Sequence, residues 1–176
     1  GSLKLNVAKA TNVILKSKIE VYPISGSWNN GSGQYLDKPV NHTGVSWVYS
    51  DFSGSNKWPT AGFSPLLTAS FSGSNNAGGG VWYTGSGGYE GIGPLYFTQS
   101  FNLRSDKDLD INVTDALRVW YSSSKNLNAG KIEISNEGFI VKWEKDKEFI
   151  TESAVTPQLS YYSIDTNTIY PPQLEI

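Results

Sequence analysis

The chain has no cysteine, no methionine and one histidine, and only 17% of its 176 residues are charged. Absence of cysteine removes disulfides, thiol nucleophiles and cysteine-based metal centres together. It leaves the compartment open, because a domain of this length can bury enough core to stand without bridges. The lone His42 gives a catalytic triad or a histidine metal cluster no support. No Gly-x-Ser-x-Gly in a strand–turn–helix setting accompanies it, and neither Gly85-Ser86-Gly87-Gly88 nor Gly31-Ser32-Gly33 has that setting. Basic runs are missing too: 14 Lys and Arg are scattered against 16 Asp and Glu, for a net charge of −2, so no concentrated positive face exists to meet a nucleic-acid backbone. No stretch approaches the roughly 18 apolar residues of a membrane span. Leu3 to Leu15 is too broken by Lys and Asn for a signal core. With no methionine, residue 1 is not an uncleaved initiator. Gly1-Ser2 reads as a cloning scar or an internal cut, and the chain is expected to be a piece of a longer polypeptide.

What remains is rich in turn formers and rings: 18 Gly, 8 Pro, 6 Trp, 10 Tyr and 7 Phe. That is the composition of strands joined by loops, and the length fits one domain over 1–176. Leu3, Leu5 and Val7, then Ile19 and Val21, alternate with polar neighbours as half-buried strands do. The same rhythm marks Val45, Trp47 and Tyr49, then Leu67 to Phe71, Val81 to Thr84, Tyr96 to Leu103, and Leu109, Ile111 and Val113. Later strands are expected at 138–144, 158–164 and 173–176. One helix is expected from Thr114 or Asp115, either of which can cap its first turn, with Val113, Ala116, Leu117 and Trp120 forming its apolar stripe. About ten strands and one short helix predict an all-β, two-sheet antiparallel β-sandwich.

Read in order, Val21-Tyr22-Pro23-Ile24, Ser27-Trp28-Asn29-Asn30-Gly31-Ser32-Gly33, Pro39, Gly44-Val45-Ser46-Trp47, Trp58, Asn112-Val113-Thr114-Asp115 with Trp120, Gly138-Phe139 and Pro171-Pro172-Gln173-Leu174 form a pattern. It resembles the DNRLRE domain family and its relatives in phage virion proteins, and the closing Asp165 to Pro172 is most similar to the phage branch. The resemblance implies a jelly-roll sandwich similar to carbohydrate-binding modules. It also implies a place in a virion or on a cell surface, with other subunits or polysaccharide as partners. Two departures stand out: the family's earlier N-terminal strand is missing before Leu3, and the segment Ala77 to Pro94 is longer and richer in glycine.

Three aromatic residues in that insertion, Trp82, Tyr83 and Tyr89, are the candidate contact residues, since no framework requirement for them is evident and rings framed by glycine suit a presented surface; the alternative is local packing of the insertion against its own sheet. Trp28, Trp47 and Trp58 coincide with the framework landmarks and are expected to plug the bases of long loops, the alternative being stacking platforms for sugar rings. Asp106, Asp108 and Asp110 do not make an EF-hand loop, because Ile111 and Leu117 stand where Gly and Glu are needed. Asp108 and Asp110 instead read as the wet face of a strand. No metal or cofactor is expected, and a structural calcium ion has no motif behind it. Carboxylate pairs for glycoside hydrolysis find no specific support either. Asn30-Gly31-Ser32, Asn41-His42-Thr43 and Asn112-Val113-Thr114 match the glycosylation acceptor pattern, which would be silent in a phage or bacterium. The expected function is a non-enzymatic interaction or adhesion module of a virion structural or appendage protein. The alternative is a carbohydrate-binding module of a secreted or cell-surface enzyme or adhesin.

Overall fold

A computed structural model describes residues 1–13, 16–33, 37–58, 67–73, 76–83, 95–102, 104–124, 134–144, 157–166 and 168–176, with backbone alone for 67–73, 76–79 and 124. In chain order the elements are β1 (Ser2–Leu5), β2 (Val7–Thr11), β3 (Lys16–Pro23), β4 (Tyr49–Asp51), β5 (Asn56–Lys57), β6 (Leu67–Gly73), β7 (Asn76–Tyr83), β8 (Phe97–Asn102), β9 (Leu109–Asn112), α1 (Thr114–Ser124), β10 (Phe139–Trp143), β11 (Gln158–Tyr161) and β12 (Gln173–Glu175), with a 3-10 turn at Ile164–Thr166. The protein is therefore all-β, with several antiparallel sheets and, among the described residues, one short helix. Where the sequence suggests a single domain, the contacts group into two compact units, each assembled from separate stretches of chain: 1–21, 97–114 and 141–176 in the first, 22–96 and 115–140 in the second.

In the first unit β1 lies between β12 and β9, with Leu3 opposite Leu174 on one side and Ile111 on the other. Period-two alternation works as the sequence suggests: Leu109 and Ile111 are buried, while Asp110 and Asn112 face out. Asp108 departs from the expected wet face. It is half-buried, and its Oδ1 accepts the amide of Val7, the first residue of β2, at 2.7 Å. Gln99 of β8 ties the same region together, donating to the Asp108 carbonyl and accepting from the Asp110 amide. A second sheet runs β10–β3–β8. Its buried Glu20 sits 3.6 Å from Lys142 and 3.5 Å from Lys18, so a costly buried charge is neutralised from two sides. The first turn of α1 is capped from outside by Asn112, whose Oδ1 accepts from both the amide and the hydroxyl of Thr114.

The second unit holds most of the aromatic mass. Ile24, Trp58 and Val81 form a buried cluster with Ile140 packed against it. Trp82 stacks obliquely on Tyr22, with ring centroids 5.5 Å apart. The helix buries Ala116, Val119 and Trp120, the last meeting Phe139 at 4.9 Å. This is the expected stripe shifted by part of a turn, with Val119 in place of Leu117. β6 and β7 make a hairpin-like antiparallel pair whose register runs from Leu67↔Tyr83 to Gly73↔Asn76.

Candidate ligand-binding groove

The long polar segment before Trp58 folds around one close backbone crossing. At Gly31 a side-chain carbon would lie 2.5 Å from the Gly44 amide, and at Gly44 one would lie 2.3 Å from the Asn30 carbonyl. Only glycine permits that approach. The crossing is stitched by Val45 N–H donating to the Asn29 carbonyl at 2.7 Å and Asn29 N–H donating to the Ser50 carbonyl at 2.9 Å. Side chains reinforce it: Thr43 Oγ1 accepts from the Ser32 amide, Asn41 donates to Ser32 Oγ, and Asn41 Oδ1 accepts from the Thr43 amide. The Ser46–Tyr49 turn closes on itself through Ser46 N–H to the Tyr49 carbonyl and Tyr49 N–H to Ser46 Oγ. This turn replaces the strand that the alternation of Val45, Trp47 and Tyr49 suggests, and strand pairing begins only at Tyr49, against Lys57.

Because the chain turns here, Val45 and Trp47 point outward. Trp47 is 52% exposed and Trp28 39%, whereas Trp58 is 6% exposed and donates its indole N–H to the Ser46 carbonyl at 3.0 Å. The expectation that all three plug loop bases therefore holds for Trp58 alone. Trp28 is pinned at one edge, its indole N–H donating to the Glu137 carbonyl, and its exposure leaves part of the ring accessible.

A groove of about 640 Å³ opens along this turn. Its apolar lining is Val45, Trp47, Val48, Tyr49 and Phe52, and its polar lining is Asn30, Asn41, His42 and Ser46, with Gly33 and Gly44 completing the wall. Tyr49 and Phe52 meet edge to face at 5.2 Å, which fixes both rings. Asp51 lies beside the groove but faces away into its own turn. Its Oδ1 accepts from the Ser53 hydroxyl at 2.6 Å and the Gly54 amide at 3.2 Å. Those bonds, the hydroxyl first, hold its carboxyl below the usual aspartate range. Among the described residues that line the groove there is no Asp, Glu, Lys or Arg. Among the described residues no three His, Cys, Asp or Glu side chains gather to hold a metal.

The sequence-based candidates fall elsewhere. Trp82 and Tyr83 are 3% and 8% exposed in β7, so neither presents a ring to a partner. They are core residues, because β7 pairs with β6 and lies under Tyr22 and Ile24. Tyr89 lies outside the described residues. The exposed Trp47 is the residue that sequence reasoning assigned to scaffold. The signal that would have found it is local: Gly44 and Ser46 just before it carry turn chemistry that competes with a strand.

No family model matches the chain, and neither a curated protein nor a solved structure does.

Proposed function

We propose that the protein is a non-enzymatic adhesion module of jelly-roll type that takes surface polysaccharide into the groove beside Trp47. The observation that carries this reading is an indole more than half exposed, lining a groove together with further rings and with amide and hydroxyl side chains. Flat apolar faces rimmed by equatorial hydroxyls are what a pyranose offers, and an aromatic platform with a few placed hydrogen-bonding groups is its complement. The loops are braced before any ligand arrives, which lowers the ordering cost of binding. The likeness to DNRLRE domains of virion proteins supports a place on a particle or cell surface. There many weak copies add through avidity.

Contact with neighbouring subunits is a second reading, favoured by the exposed Ile164, Ile169, Tyr170 and Leu174 of the first unit. Affinity electrophoresis through gels holding different polysaccharides tests the first reading. Retardation by at least one gel, lost in Trp47→Ala and kept in Trp47→Phe, is the expected result. Retardation indifferent to Trp47→Ala would overturn it. Sedimentation velocity tests the second, which requires self-association weakened by Ile169→Ser.

A further inference from the structure

The groove's charge narrows the ligand class, given the reading that the groove binds polysaccharide. Acidic and sulfated glycans carry an anion on nearly every unit, and proteins meet such arrays with Arg or Lys set for charge-assisted hydrogen bonds. The described residues of this lining include none. The Asp51 carboxylate beside the groove is committed to Ser53 and Gly54.

The polar groups that remain are of the kind a hydroxyl uses. Asn30 and His42 are exposed, line the groove and make no hydrogen bond to another described residue. An asparagine amide both donates and accepts, and an imidazole offers two ring nitrogens for hydrogen bonds. A sugar hydroxyl likewise donates and accepts, whereas a carboxylate only accepts. Asn41 is by contrast occupied in bracing the loop. We infer that the groove selects an uncharged polysaccharide, with Trp47 stacked on a pyranose face and Asn30 and His42 hydrogen-bonded to its hydroxyls.

The test uses matched polymers that differ in charge: mannan against polymannuronate, and dextran against dextran sulfate, titrated into the whole chain by calorimetry at several salt concentrations. The expected result is binding to a neutral member and none to its charged counterpart. Affinity should be nearly flat with salt, weaker by about tenfold or more in Trp47→Ala and weaker by several-fold in Asn30→Ala. Tighter binding of a charged polymer that collapses with salt and is still lost in Trp47→Ala would overturn the neutral class while leaving the groove in place. Binding of either kind that Trp47→Ala and Asn30→Ala leave untouched would overturn the groove itself. So would failure of a wider neutral panel to bind a chain whose dichroism shows it folded.

Discussion

Gly44→Ala should spring the crossing that shapes the groove. The new methyl carbon would lie 2.3 Å from the Asn30 carbonyl oxygen, 2.7 Å from its carbon and 2.9 Å from the Gly31 nitrogen. All three are backbone atoms, so no side chain can swing aside. Restoring ordinary contact needs a shift of about 1 Å. That carries the 2.7 Å bond from Val45 to Asn29 past hydrogen-bonding range. Overpacking of this kind costs roughly 1–3 kcal/mol and the lost bond about 1 kcal/mol more, so about 2–4 kcal/mol in all. Hydrogen exchange reads it where it acts: protection of the Val45 amide should fall by about 30-fold or more. Gly138→Ala is the control, since its φ is +83° with nothing within 4 Å of the added carbon. It should lose only the left-handed penalty of about 1–2 kcal/mol and leave Val45 protected. Full protection of Val45 in Gly44→Ala would refute the reasoning.

Trp58→Phe should cost about 1–2 kcal/mol by stranding the Ser46 carbonyl that the indole N–H satisfies, and Trp58→Ala about 3–5 kcal/mol by adding a cavity; denaturant melts measure both. Burial first, and the charge of Asp108 second, push the Tyr161 phenol up to about 12. Its folded value exceeds the unfolded value of about 10, so its stabilising effect is complete below that pH and is lost as pH climbs toward 12. Ultraviolet titration should show a late tyrosine transition that is lost in Tyr161→Phe. Asp51 has the opposite sign: its lowered value supports the turn above the ordinary aspartate range near 3.9, and that support fades as pH falls through the lowered value. Protection of the Gly54 amide, taken relative to the intrinsic exchange rate at each pH, should fall in acid, and Asp51→Ala should remove that fall.

Much of the frame is readable from local pattern. Leu109 and Ile111 announce their strand by strict alternation, and Ala116 and Trp120 announce their helix by spacing, because in both cases one face meets a core. The groove is less legible. Val45, Trp47 and Tyr49 alternate like a strand, but Gly44 crosses the Asn30 peptide and Ser46 bonds to Tyr49, and those contacts bend the chain before pairing starts. Trp82 and Tyr83 mislead for the converse reason. Glycines beside them suggest a loop tip, yet their burial depends on β6 and on Tyr22, which lies sixty residues earlier in the chain. Burial set by distant partners leaves no local trace.

The most direct measurement is a titration of neutral polysaccharide into chain labelled with nitrogen-15, following the six indole N–H signals and the backbone amides. Shifts at the Trp47 indole and along 41–52, with the Trp82 signal still, are the predicted result. Shifts confined to Trp82 and its neighbours in β7, with Trp47 silent, would contradict it.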